Sequence, residues 1–227
     1  MTDAFAGLVA AAVAFVGTHF ALSHPLRAPL VRLAGDKGFQ AIYSLVAFAS
    51  LGWLVVAFRA ATGGAMLWDG FASVPWIAAT VLLLVASVLL VGSFLGNPAL
   101  PAPNAAEVAA RGPHGVFHVT RHPMMWSFAL WSASHLLVSP TPRVIVLTLA
   151  IALLALIGSH LQDRKKQALM GPAWADWEAK TSYWPRLGGL ARAGAVPWLG
   201  GVAFWLIASW AHSPLIAIPA GAWRWIG

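Results

Sequence analysis

Six long apolar runs limit the folds open to this sequence. They lie at about 4–24, 39–58, 74–95, 123–138, 144–161 and 197–219, and Pro214 interrupts the last one. A helix rises 1.5 Å per residue, so about 20 residues cross a hydrocarbon layer of ~30 Å. Lipid cannot hydrogen-bond to the backbone, so each run must be helical. The sequence predicts one all-α integral membrane domain over residues 1–227, a bundle of about six transmembrane helices.

The scarcity of charge supports the same class. Only 9% of the residues are charged, against about 25% in an ordinary soluble domain, and 59% are hydrophobic. A soluble domain of this length needs more charge to cover its surface. The absence of Cys excludes disulfides, thiolate metal sites and Fe–S clusters. The net charge of +7 is spread over loops, so we expect no nucleic-acid partner.

The distribution of Lys and Arg predicts the orientation in the membrane. Alternate loops, after the first, third and fifth runs, hold 11 of the 14 cations: Arg27, Arg32, Lys37, Arg111, Arg121, Arg164, Lys165, Lys166, Lys180, Arg186 and Arg192. The opposite side holds Arg59, Arg143 and Arg224. Cytoplasmic loops carry the excess of cations, so both termini are predicted to be periplasmic.

Two of these loops have a pattern of their own. Between the third and fourth runs, Asn104 as an N-cap and Gly112-Pro113 as a breaker predict a short helix. The loop after the fifth run carries the aromatic residues Trp174, Trp177, Tyr183 and Trp184 among its cations. This mixture is typical of a segment that lies on anionic lipid headgroups.

Histidine is the main chemical signal. The chain has eight: His19, His24, His114, His118, His122, His135, His160 and His212. An imidazole inside a bilayer is costly, which makes an intramembrane His a functional candidate. His19 and His135 lie deepest in their runs, whereas the others lie nearer the interfaces. An interhelical hydrogen bond is the simplest alternative role for this pair.

Two buried His on different helices suit a haem iron. The predicted spans contain no Asp or Glu, so the pair lacks the further ligands that zinc needs. A haem brings four nitrogens of its own and needs only axial ligands and apolar walls. Without an attachment motif it would be b-type. His19 and His24 point about 140° apart around a helix, so only one of them can face an iron. Arg27 and Arg121 are candidates to pair with the haem propionates.

Several segments resemble the NnrU family, whose relatives include the 15-cis-ζ-carotene isomerases of plants. The matching segments are 19–27 (HFALSHPLR), 35–45 (GDKGFQAIYSL), 67–68 (LW), 120–124 (TRHPM), 131–135 (WSASH) and 180–182 (KTS). The resemblance implies a small integral protein, in bacteria one of the cytoplasmic membrane. In the isomerase branch it implies a b-type haem held by two His.

The resemblance also implies which residues would hold that haem. The first family His matches His19 better than His24, although His24 stays an alternative, and the second matches His135. The isomerases have a Cys three residues before the second ligand, where this chain has Ser132. Ser132 cannot replace a thiolate, so a ligand exchange through that position is not expected here.

Three functions remain open from the sequence, besides a purely structural role in the membrane. The first is a haem-dependent isomerase acting on a double bond of a lipid-soluble polyene. The second is a haem-binding redox or accessory protein of nitrite and nitric oxide metabolism, as in the bacterial branch. The third is a methyltransferase using S-adenosylmethionine, because Arg121-His122-Pro123 also resembles the isoprenylcysteine and phospholipid methyltransferases. Those enzymes have an acidic pair after the last span, where this chain has only Asp163. Arg121 and His122 would then bind a cofactor, or they would anchor the chain at the interface.

Overall fold

Helices are the only regular structure in the described part of the chain. The computed structural model describes residues 2–226, and 76% of the chain is helical, with no strand in that range. The helices are α1 Asp3–Ser23, α2 Arg27–Ala60, α3 Ser73–Gly92, α4 Ala105–Ala110, α5 Pro123–Val138, α6 Pro142–Met170, α7 Pro172–Lys180, α8 Ala195–Trp210, α9 His212–Ile216 and α10 Trp223–Ile226. Two 3-10 turns, Gly115–His118 and Leu187–Arg192, complete the regular structure.

The helices confirm the predicted class of a membrane bundle with about six spans. Five helical segments are long and apolar enough to cross a membrane: α1, α2, α3, α6 and Ala195–Ile216, which joins α8 and α9. The predicted fourth span coincides with α5, whose 16 residues rise ~24 Å. The short loop helix predicted after Asn104 is present as α4.

Two helix boundaries differ from the prediction. The segment before the second apolar run was predicted to be a loop, but α2 already begins at Arg27. Gly35, with φ 70° and ψ 173°, interrupts it, and this positive φ is easily adopted only by Gly. In the last apolar run the helix breaks at Ala211, before Pro214 rather than at it. Pro214 then lies in the first turn of α9, where its missing N–H costs little.

The chain forms two compact units, which we describe separately. The first contains residues up to Gly70 together with Ser139–Leu154. Its core joins α1, α2 and the first half of α6 through small and apolar side chains. The most buried members are Leu8, Ala11, Leu54 and Ala61.

The second unit contains Phe71–Val138 and the residues from Ala155 onward. In it α3 packs against α5 and α8, and α4 packs against α7. Its core is made of Val88, Leu89, Val116, Phe117 and Val119, together with Trp174 and Trp177 of α7, and both Trp side chains are fully buried. The prediction that these two Trp lie on lipid headgroups was therefore wrong. Trp184 alone of this group is strongly exposed, at 67%.

Glycine lets α8 approach α3 closely. A Cβ atom at Gly201 would lie 2.6 Å from Cα of Val88, a contact that real side chains do not make. A Cβ at Gly200 would lie 2.9 Å from Cγ1 of Val91, one turn along α3. Small residues at such crossings are how helices pack in a membrane, where the hydrophobic effect does not drive them together.

We predict that Gly201→Ala destabilises the second unit by about 1–3 kcal/mol, the usual cost of overpacking. The matched control is Gly17→Ala in α1, where a Cβ meets no atom of another described element within 4 Å. The free energy of unfolding of both variants is measured on detergent-solubilised protein, by titration with sodium dodecyl sulfate followed by tryptophan fluorescence. Equal midpoints for Gly201→Ala and the control would contradict this packing.

Candidate functional site

A buried ion cluster lies where α5 begins beside the far end of α6. Asp163 accepts hydrogen bonds from Arg121 Nε at 3.0 Å and Nη2 at 2.7 Å, and from His122 Nε2 at 2.7 Å. The His122 side chain is fully buried, and Asp163 is 6% exposed. Because both oxygens of Asp163 are engaged by these donors, its negative charge is stabilised away from water.

The backbone around the cluster is fixed by its own hydrogen bonds. Arg121 N–H donates to the Ser182 carbonyl at 2.8 Å, and Arg186 N–H donates to the Val119 carbonyl at 2.8 Å. Thr120 Oγ1 donates to the Tyr183 carbonyl at 2.7 Å and accepts from His122 N–H at 3.2 Å. The segment after α7 is therefore held against the residues that enter α5.

One acidic partner of this motif was not expected from the sequence. Asp163 was the only acid expected near the motif, but Glu178 of α7 lies 3.3 Å from Arg121 Nη2. Asp163 was grouped with its basic neighbours as part of a loop, whereas α6 continues to Met170 and places it on an inward face. Lys166, one turn on, is also buried and donates to the carbonyls of Pro98 and Leu100 at 2.8 and 3.1 Å. Asp163 and Lys166 are three residues apart, and this spacing, which puts both on one face of a helix, was the available sign in the sequence.

His122 retains one unused nitrogen. Its Nδ1 is buried and has no hydrogen-bond partner among the described residues. A cavity of about 20 Å³, lined by His122, Asn97, Gln162, Met124 and Met125, lies beside it. That volume holds about one water molecule, so this position suits a water rather than a cofactor.

His135, the predicted second ligand, lies near the end of α5. Its Nδ1 is 2.9 Å from the Trp131 carbonyl, and its ring packs on the Trp131 ring with centroids 4.0 Å apart. No described residue hydrogen-bonds to its Nε2. The ring of His212 lies 6.2 Å away, centroid to centroid, and Nδ1 of His212 is likewise 2.8 Å from the Ala208 carbonyl. No pattern in the sequence indicates that His212 lies beside His135.

His19, the predicted first ligand, lies in the other compact unit. Its Nδ1 is 2.7 Å from the Phe15 carbonyl, and the rings of Phe15 and Tyr43 lie 4.5 and 5.7 Å from its own. In His19, as in His135, Nδ1 is hydrogen-bonded to a carbonyl one helical turn earlier, and Nε2 has no hydrogen-bond partner among the described residues. That these two His face one iron stays a prediction.

The remaining predicted residues are already engaged within the chain. Ser132 is buried and its hydroxyl donates to the Phe128 carbonyl at 2.9 Å. Arg27 lies over the Phe39 ring at 5.4 Å, with Nη2 3.9 Å from Asp36 Oδ1. Arg121 pairs with Asp163 and Glu178, so a propionate at Arg121 would compete with two carboxylates. The proposed propionate roles stay predictions.

We predict that Asp163→Asn destabilises the protein by about 3 kcal/mol, because removing one partner leaves a buried charge uncompensated. Asp176→Asn is the control, since Asp176 forms only an exposed pair with Lys180 and should cost about 0.5 kcal/mol or less. Unfolding in sodium dodecyl sulfate measures both variants. Similar small losses in the two would show that the cluster contributes little to stability.

Comparison with known proteins gives one finding. The family model described as NnrU protein matches residues 7–220 of the 227-residue chain. Searches of curated proteins and of solved structures returned no match. The match covers all the spans except the first residues of α1, and it includes both predicted ligands and the ion cluster. The chain therefore belongs to the NnrU family.

Proposed function

We propose that this NnrU-family protein binds a b-type haem within the membrane, with His135 and His19 as axial ligands. The observation that carries the proposal is the hydrogen bonding of both imidazoles. In each, Nδ1 donates to the carbonyl of the residue four positions earlier, 2.9 Å away for His135 and 2.7 Å for His19. Such a bond fixes the tautomer with Nε2 as a free lone pair, which is how metal-ligating His are usually held.

The surroundings of both imidazoles favour a porphyrin over a bare metal ion. Aromatic rings pack on both, Trp131 on His135 and Phe15 and Tyr43 on His19. The apolar runs that carry them contain no carboxylate to complete a zinc site. A porphyrin needs only axial nitrogens and apolar walls.

For the reaction, we propose isomerisation of a double bond in a lipid-soluble polyene. When bound, the haem would supply an iron whose electrons can be shared with a conjugated chain. The protein's part is to hold the imidazoles rigidly, to exclude water and to admit the substrate from the lipid. Many large apolar side chains on the spans are exposed, among them Phe48, Val56 and Ile77. Such surfaces suit contact with lipid and with a lipid-soluble substrate.

We further propose that the protein lies in the bacterial cytoplasmic membrane with both termini in the periplasm. The support is the bias of 11 of 14 cations toward one set of loops. Three of these cations lie at helix ends: Arg121 shortly before α5, Lys180 as the last residue of α7 and Arg186 shortly after it. This side would face the anionic cytoplasmic leaflet.

Methyl transfer is less well supported. In that function Arg121 and His122 would contact the methyl donor. Here both side chains donate to Asp163, and Arg121 also pairs with Glu178. Binding a cofactor through these groups would first require breaking a buried ion cluster.

The test is the absorption spectrum of full-length protein purified from haem-supplied cells, oxidised and reduced. We predict sharp reduced bands of six-coordinate haem b that His135→Ala and His19→Ala largely abolish. His160→Ala is the matched control, because His160 is an exposed residue and should retain the bands. His135→Gln, with elution volume as a check on folding, separates lost ligation from misfolding.

Two results would change the assignment. Bands lost in His212→Ala but kept in His19→Ala would make His212 the partner of His135. Full haem content in His135→Ala would refute the proposal. With haem established, turnover of a cis polyene supports the isomerase, whereas a spectral change with nitric oxide and no turnover favours a redox or accessory role.

A further inference from the structure

A basic cavity lies between the two 3-10 turns and the segment that follows α7. Its volume is about 350 Å³, within the range of pockets that hold small molecules. The polar groups of its wall are Lys180, Thr181, Ser182, Arg186, Arg192 and His118. No carboxylate lines it among the described residues. It shares no lining residue with the surroundings of His135 or with the ion cluster.

Two of its cations are not neutralised by the chain itself. Arg186 and Arg192 are exposed, and within residues 2–226 neither forms an ion pair. Lys180 pairs with Asp176 at 2.6 Å, but this pair is half exposed, so Lys180 can leave Asp176 for another anion at little cost. Partial burial of His118, and then the charges of Arg192 and His114, lower the pKa of His118. The His118 imidazole also offers a ring nitrogen to the wall of the cavity.

Two glycines and a backbone hydrogen bond shape the wall of the cavity. A Cβ at Gly189 would run into the carbonyl of His118, so this Gly allows the two turns to touch. At the adjacent Gly188 a Cβ would meet nothing within 4 Å, because that position faces the open space. Arg186 N–H bonds to the Val119 carbonyl, beside the buried ion cluster. The guanidinium of Arg186 thus extends from a backbone that is held by this hydrogen bond.

We propose that this cavity binds a phosphate group through Arg186, Arg192 and Lys180. A guanidinium group can donate two parallel hydrogen bonds to two oxygens of one phosphate. Thr181, Ser182 and the backbone add further donors. The volume exceeds that of a lone phosphate and accommodates a diester or a diphosphate. A phospholipid headgroup and a soluble phosphate compound share this chemistry. The site requires no haem.

The experiment measures the thermal unfolding of full-length protein by its tryptophan fluorescence, with pyrophosphate or short-chain phosphatidylglycerol added. We expect both to raise the midpoint with saturation. Arg186→Gln and Arg192→Gln should each weaken the apparent affinity about tenfold or more, the usual loss for a charge-assisted pair. Gly188→Leu, which adds side-chain volume at a position that lines the cavity and leaves every charge in place, should weaken it as much.

Arg164→Gln is the matched control, since Arg164 is an exposed cation of the same unit outside the cavity. It should leave the affinity unchanged. Saturation by pyrophosphate alone would assign the site to a soluble phosphate, and saturation by phosphatidylglycerol alone to a lipid headgroup. Three outcomes would overturn the proposal: no saturable shift with either phosphate, equal losses in Arg164→Gln and Arg186→Gln, or unchanged affinity in Gly188→Leu.

Discussion

The hydrocarbon of a bilayer offers no hydrogen-bond partner, and this constraint governs the structure at every level. The backbone satisfies it by forming helices. Hydroxyl groups satisfy it by bonding one turn back, as Ser87 does to Leu83 and Thr148 to Val144 at 2.8 Å each. An imidazole ring has two nitrogens, and a bond one turn back satisfies only one of them. His19 and His135 therefore carry a nitrogen whose partner must come from outside the helix, and this leftover capacity is the basis of the proposed function.

The same constraint explains the ion cluster at the membrane edge. Arg121 and His122 enter α5 where the chain turns into the bilayer, and Asp163 meets them from α6. His122 of this cluster immediately precedes α5, which carries His135 13 residues after His122. Backbone hydrogen bonds of Arg121 and Val119 hold the segment from which Arg186 projects. The Arg-His-Pro motif thus positions two candidate sites while its own side chains are occupied.

Much of the fold was predictable from the sequence, because apolar run length and helix breakers are local signals. The spans, α4 and the class all followed from them. The Trp residues of α7 were misjudged because Trp174 and Trp177 look alike whether they cover a core or anchor in headgroups. Glu178 and His212 were missed because their partners are distant in the chain: Arg121 is 57 residues from Glu178, and His135 is 77 from His212. The position of His19 and His135 on long apolar helices was predictable, but the neighbour of His135 was not.

The proposed function depends on two neutral imidazoles that ligate one iron inside this protein. Electron paramagnetic resonance of the oxidised, full-length protein is the decisive experiment, because the signal reports the axial ligands themselves. We expect one low-spin ferric haem per chain with two imidazole ligands. A high-spin signal with a single axial His, or protein that carries no porphyrin after purification from haem-supplied cells, would contradict it.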